Sequence, residues 1–174
     1  MDEQNHQSMD RRALLARGGA VAAGAVGVTV AGVATAAPAL AVGLGYTPIT
    51  PYRSYDSRVD PDGKIARGGG MILQVITDVN NNPKVPPAAQ AVTFNLTITQ
   101  TEGTGFLGVV PAGTTNLSVS NINWVVSGLD LANGGTTKIA GDSVSGPGSV
   151  LVYCDGNPGA RTHFIVDVTG YFAP

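Results

Sequence analysis

From Ala91 to Gln100 the chain alternates without a break, with Val92, Phe94, Leu96 and Ile98 in one set and Thr93, Asn95, Thr97 and Thr99 in the other. Successive side chains of an extended strand point to opposite faces, so this pattern demands a sheet with one apolar and one polar surface. On a helix the same residues would be scattered around the axis. The segment from His163 to Phe172 follows the rule less strictly: Phe164, Val166 and Val168 alternate with Ile165, Asp167 and Thr169, which puts a carboxylate on the wetter face. Shorter runs rich in Val, Ile, Thr and aromatic residues extend from Arg53 to Ser57, Met71 to Thr77, Gly105 to Val110, Asn116 to Trp124, Thr136 to Ile139 and Ser149 to Tyr153. Turn-forming clusters part these runs: Asp62-Gly63, Asn133-Gly134-Gly135, Gly146-Pro147-Gly148 and Gly156-Asn157-Pro158-Gly159. The stretch from Asn80 to Ala89, with Pro83, Pro86 and Pro87, reads as an extended crossing between sheets. No amphipathic helix is evident. The expectation is an all-β protein, an antiparallel β-sandwich of jelly-roll type with about eight strands.

Ahead of this region stands Asp10-Arg11-Arg12-Ala13-Leu14-Leu15, followed by an Ala/Gly/Val run from Gly18 to Ala37. The order of charged head, weakly apolar segment and small-residue site is that of a twin-arginine export signal, with Arg11, Arg12, Leu14 and Leu15 as the residues read by the export machinery. An ordinary secretory signal with paired arginines, or an uncleaved anchor, are the competing readings. Ala39 and Ala41 flank the expected cleavage position; Ala34-Thr35-Ala36 and Ala37-Pro38-Ala39 are weaker sites. Residues 1–41 are thus expected to be the signal and residues 42–174 a single domain, located outside the cell or in its envelope. Cys154 is the only cysteine, so no intrachain disulfide can form, and its neighbours Val150-Leu151-Val152-Tyr153 suggest a thiol used as a small apolar group.

After Val42, seven basic and nine acidic side chains are scattered without a run of either sign. A nucleic-acid binder would show a basic stripe, and a further membrane span would need a second long apolar run; neither is present. Chemistry is sparse. His163 is the one histidine outside the leader, which supports neither a metal site nor a serine triad. Asp60-Pro61-Asp62-Gly63 resembles the opening of a calcium loop, but its twelfth position is Met71. Glu102 is expected at a hairpin tip. No cofactor, metal or catalytic residue is assigned. Trp124, Tyr52 and Tyr55 could stack on sugar rings or could pack in the interior. Asn95-Leu96-Thr97-Ile98-Thr99 is echoed by Asn116-Leu117-Ser118-Val119-Ser120, which would give two strands presenting Asn and hydroxyls on one side.

A resemblance spans nearly the whole expected domain. Arg53-Ser54-Tyr55-Asp56-Ser57-Arg58, Ala91-Val92-Thr93-Phe94-Asn95-Leu96-Thr97, Gly105-Phe106-Leu107 with Val110-Pro111-Ala112-Gly113, Ser120-Asn121-Ile122-Asn123, Ala132-Asn133 and Ile165-Val166-Asp167-Val168-Thr169-Gly170-Tyr171-Phe172 together resemble an all-β module of secreted and cell-surface actinobacterial proteins. The resemblance implies location and architecture and carries over no reaction. The polar residues of these motifs, Asp56, Arg58, Asn95, Asn123, Asn133 and Asp167, are read as a structural network tying strand ends to loops, with Asp56 and Arg58 pairing to a neighbouring strand through Asp167 or Arg161. The functional expectation is a non-catalytic envelope interaction module that binds polysaccharide or a surface protein. The alternative is a structural subunit that assembles through sheet edges, with a small glycan hydrolase behind both. Replacing Arg11 and Arg12 by Lys should leave precursor in the cytoplasm, read by immunoblot of cell fractions; undiminished secretion would instead identify the general secretory route.

Overall fold

A computed structural model describes residues 43–141 and 146–174. The signal residues Arg11, Arg12, Leu14, Leu15, Ala39 and Ala41 lie outside the described residues. Nine strands follow in order: β1 (Gly45–Asp56), β2 (Ile65–Ala66), β3 (Gly70–Gln74), β4 (Ala91–Glu102), β5 (Gly105–Pro111), β6 (Ile122–Trp124), β7 (Leu131–Lys138), β8 (Ser149–Gly156) and β9 (Arg161–Ala173). One sheet has the order β1-β9-β4-β7, with the short β2 added to β9, and the other has the order β3-β8-β5-β6. All pairings are antiparallel. They nest from the outside inward, β1 with β9, β3 with β8, β4 with β7 and β5 with β6, which is the winding of a jelly roll.

The alternation seen in the sequence determines which side chains meet between the sheets. Val92, Phe94, Leu96 and Ile98 of β4 and Phe164, Val166 and Val168 of β9 form one wall of the interior. Leu107 and Val109 of β5, Val150, Val152 and Cys154 of β8, and Ile122 and Trp124 of β6 form the other. Fully burying one such aliphatic side chain is worth about 1.5–3 kcal/mol, so the facing of the two walls is the main stabilising term. Cys154 lies inside this core, and burial pushes its thiol up to about 11. It is therefore protonated at neutral pH and packs as an apolar group.

Four elements depart from the sequence reading. β1 begins at Gly45 rather than Arg53, because it is an edge strand and Pro48 and Pro51 are tolerated there; its register to β9 shifts between Pro48 and Tyr52. Asn133-Gly134-Gly135 is not a turn but the middle of β7, where a Cβ on Gly135 would stand 2.6 Å from the Phe94 ring, so the glycine leaves room for the ring. Asn116 to Ser120 is not a strand. It is exposed, and the Val119 carbonyl accepts a hydrogen bond from the Tyr153 hydroxyl on the outside of the second sheet, so the echo of β4 is one of sequence alone. Glu102 ends β4 at a corner rather than a hairpin: β5 belongs to the other sheet, and Gly103 makes the bend at φ 65° with its N–H donated to Ser127. The proline-containing stretch after β3 does cross from one sheet to the other.

Trp124 is only 1% exposed, and its indole N–H donates to the Glu102 carbonyl at 3.1 Å. Trp124→Ala should cost about 3–5 kcal/mol in urea unfolding through the cavity it leaves. Trp124→Phe should cost less, with about 1 kcal/mol of its loss due to the orphaned carbonyl. A negligible effect of both would mean that the indole is not a core residue.

Candidate functional site

The two sheets part along one side of the sandwich, where β1 and β3 are the terminal strands of their respective sheets. Three hydrogen bonds bind the β1 side to β3 and the segment after it. The Tyr52 hydroxyl donates to the Val75 carbonyl at 2.7 Å, the Ser54 hydroxyl to the Gln74 carbonyl at 3.0 Å, and the Val79 N–H to the Arg53 carbonyl at 3.1 Å. Beside these ties runs an open groove of about 490 Å³. Ser54, Tyr55 and Asp56 of β1 form one bank, and Met71, Ile72 and Gln74 of β3 form the other. The turn carrying Asp60 and Asp62 and the loop carrying Thr77, Asp78 and Asn81 complete its lining.

Both loops are shaped by their own aspartates. The Asp60 carboxylate accepts the Asp62 N–H at 2.9 Å, and the Asp60 carbonyl accepts the Gly63 N–H, so the stretch read as a calcium-loop opening is a tight turn. Asp78 accepts the N–H groups of Asn80 and Asn82 and both its oxygens bond the Asn82 amide. These backbone and amide donors, led by the Asn82 N–H, hold its carboxyl down at about 2. Asp78 is also 3.4 Å from the Lys84 ammonium. Among the described residues no three His, Cys, Asp or Glu side chains converge as metal ligands would.

Asp56, which lines the groove, belongs to a charged cluster. Asp56, 7% exposed, accepts two hydrogen bonds from the Arg58 guanidinium at 2.9 and 2.7 Å and a third from the Arg58 N–H. Arg53 reaches Asp56 at 3.0 Å with one nitrogen and Asp167 at 2.9 and 3.3 Å with two others. Arg58 therefore pairs with Asp56 itself rather than with the neighbouring strand, and the link to Asp167 runs through Arg53. Arg161 is elsewhere, 2.6 Å from Glu102, which Lys64 also contacts at 2.6 Å. Arg58, followed by its backbone N–H and the charge of Arg53, pulls the Asp56 carboxyl down to about 2 against the cost of burial.

The other expected site residues are dispersed. Asn95 faces Asp167 across the β4–β9 register, while its amide bonds the Thr97 hydroxyl at 3.2 Å. Asn123 is exposed and accepts from the Ser120 hydroxyl at 3.0 Å. The Asn133 amide donates to the Asn121 carbonyl at 2.6 Å. Asn121 does more than either: its N–H donates to the Leu107 carbonyl and its side chain accepts the Val109 N–H at 2.7 Å, locking the entry to β6 against β5. The sequence reading passed over Asn121 and Arg53, although both stand in the motifs it quoted. Trp124 presents no ring face to solvent and is not a stacking platform, while Tyr52 is half-buried with its hydroxyl engaged by the Val75 carbonyl. Tyr55 does line the groove, with its ring 4.9 Å from that of Phe164. Its hydroxyl is buried without a hydrogen-bond partner among the described residues, and burial, reinforced by the Asp60 charge, raises its pKa. His163 is half-buried, with Nδ1 3.0 Å from the Ser57 hydroxyl. The hydroxyls on the outer face of β4 are largely satisfied by neighbours, Thr93 by Thr169 at 2.9 Å and Thr99 by Asp130.

The fold and the groove define a jelly-roll sandwich with a polar cleft at one open side. No family model, curated protein or solved structure matches this chain.

Because the Asp56 carboxyl is lowered in the folded state, its contribution is fully present above its unfolded pKa of about 4 and is lost as pH falls through about 2. With both guanidinium partners partly exposed and screened, this amounts to about 1–2 kcal/mol. Asp56→Asn should flatten the loss of unfolding free energy between those two pH values relative to the wild type; equal slopes would show that the cluster is not the source.

Proposed function

We propose that this protein is a secreted, non-catalytic interaction module of the cell envelope, and that the groove between β1 and β3 holds a segment of polysaccharide. The observation that carries the proposal is the lining of the groove. Carboxylates, amides and hydroxyls at Asp60, Asp62, Gln74, Thr77 and Asn81 stand beside the Tyr55 ring and the apolar Met71 and Ile72. Sugars present this mixture in mirror image: hydroxyls that donate to carboxylates, and C–H faces that pack on aromatic or aliphatic side chains. The twin-arginine signal expected in residues 1–41 would carry such a module to where envelope polysaccharide is found.

Two of the four groove carboxylates, Asp56 and Asp78, lend no support to a hydrolytic role. Glycoside hydrolysis needs a carboxylic acid that keeps its proton near neutral pH. Asp56 and Asp78 are both held at about 2, one by guanidinium groups and the other by N–H donors. Each is thus an anion already engaged within the protein.

Sedimentation of the protein with isolated cell walls tests the reading. Asp60→Asn combined with Asp62→Asn should weaken binding by at least about tenfold, the loss expected when hydrogen bonds to charged groups become neutral ones. Trp124→Phe should bind as the wild type does, since its ring lies in the core. Failure of the wild-type protein to bind any wall fraction would remove the proposal.

A further inference from the structure

The side of the first sheet away from the groove ends in β7, and we infer that this edge is where a second copy of the chain pairs, antiparallel and centred on Gly134. The other sheet ends have features that discourage such pairing. β1 carries Pro48 and Pro51 and an irregular register, β3 has five residues and borders the groove, and β6 has three. β7 is eight residues long, mostly exposed, and free of proline and bulge, and its register with β4 runs unbroken from Leu131 to Lys138.

Backbone parity limits the registers that such a pair can take, and the charges at the two ends of the strand choose among them. The Ile139 N–H donates to the Gln90 carbonyl in continuation of the β4–β7 register. In an antiparallel ladder the backbone groups of successive residues point to alternate sides, so the odd-numbered residues of β7 bond β4. The N–H and C=O groups of Ala132, Gly134, Thr136 and Lys138 are thereby directed outward. A two-fold axis joining two such edges must set outward-directed residues against one another. Placed at Gly134, near the middle of the strand, it sets Ala132 against Thr136 of the second copy and Asp130 against Lys138.

That last pair is the reason for choosing a second copy as the occupant. Arg53, Arg58, Lys64, Arg67, Lys84 and Arg161 all have carboxylate partners, whereas Lys138 has none among the described residues. Among the described residues Asp130 accepts from the Thr99 hydroxyl and the Gln100 N–H and has no cation paired with it. Lys138 pairs in register with Ala91, and Asp130 bonds Thr99, so both lie on the outer, threonine-bearing face of the sheet. The edge therefore carries opposite charges at its two ends, spaced to cancel against the same edge turned through a half rotation. The glycine at the axis leaves both backbones free to approach.

Sedimentation velocity over a concentration series should show a monomer–dimer equilibrium that weakens with added salt. Lys138→Glu and Asp130→Lys should each shift the protein to monomer, since each places two like-charge pairs in its own dimer, and an equimolar mixture of the two should restore dimer because every pair is then opposite. Register is read by crosslinking. Gly134→Cys should form an intermolecular disulfide on mild oxidation, since residues facing each other across a hydrogen-bonded pair have Cα atoms about 5.5 Å apart, within disulfide reach. Thr136→Cys should not, because it faces Ala132, and the native Cys154 is buried and does not interfere. A wild-type protein that stays monomeric throughout, or equal crosslinking at both positions, would overturn the inference. Wall binding through the groove is measured separately and can fail without affecting it.

Discussion

Two apolar sheet faces cover each other, and every other feature of the molecule follows from that contact. β4 and β9 sit side by side in one sheet, β5 and β8 in the other, and their inward side chains supply most of the buried volume. With no disulfide among the described residues and no cluster of metal-ligating side chains, the closed interior holds the strands in place. The short corner at Gly103 and the crossing after β3 are demanded by it, since consecutive strands must change sheets for both walls to be built from one chain.

A sandwich closed in this way still has open sides, and on this protein the two sides differ. On one, β1 is tied to β3 and the segment after it by side-chain and backbone hydrogen bonds, and the remaining space is a groove bordered by polar loops that shape themselves through Asp60 and Asp78. On the other, β7 runs straight and mostly uncovered. The first is suited to a ligand with many hydroxyls and the second to backbone pairing. Both proposals place binding at the edges of the sheets, where polar groups are exposed without weakening the core.

Much of the fold could be read in the chain because alternation reports directly which face is buried. The inward residues of β4 and β9 were legible one by one, and so was Cys154 as an apolar core residue. Errors arose where a local signal had a tertiary cause. Asn133-Gly134-Gly135 has turn chemistry, but its Gly135 serves the close approach of Phe94. Asn116 to Ser120 has strand composition but no strand to pair with. Pro48 and Pro51 hide the first half of β1, which tolerates them because it lies at an edge. For the site, Asp56, Arg58 and Asp167 were legible as a polar set, while Arg53, which joins them, was not. Its two carboxylate partners lie three and more than a hundred residues away.

By itself, then, the sequence determined the strand class and the faces that turn inward, because each of these depends on residues close together along the chain. Only the tertiary structure decided that Trp124 is core and not platform, that a groove opens between β1 and β3, and that β7 is left at an edge. Those outcomes depend on which strands become neighbours, and strand order is set by the packing of the whole sandwich rather than by any local run of residues.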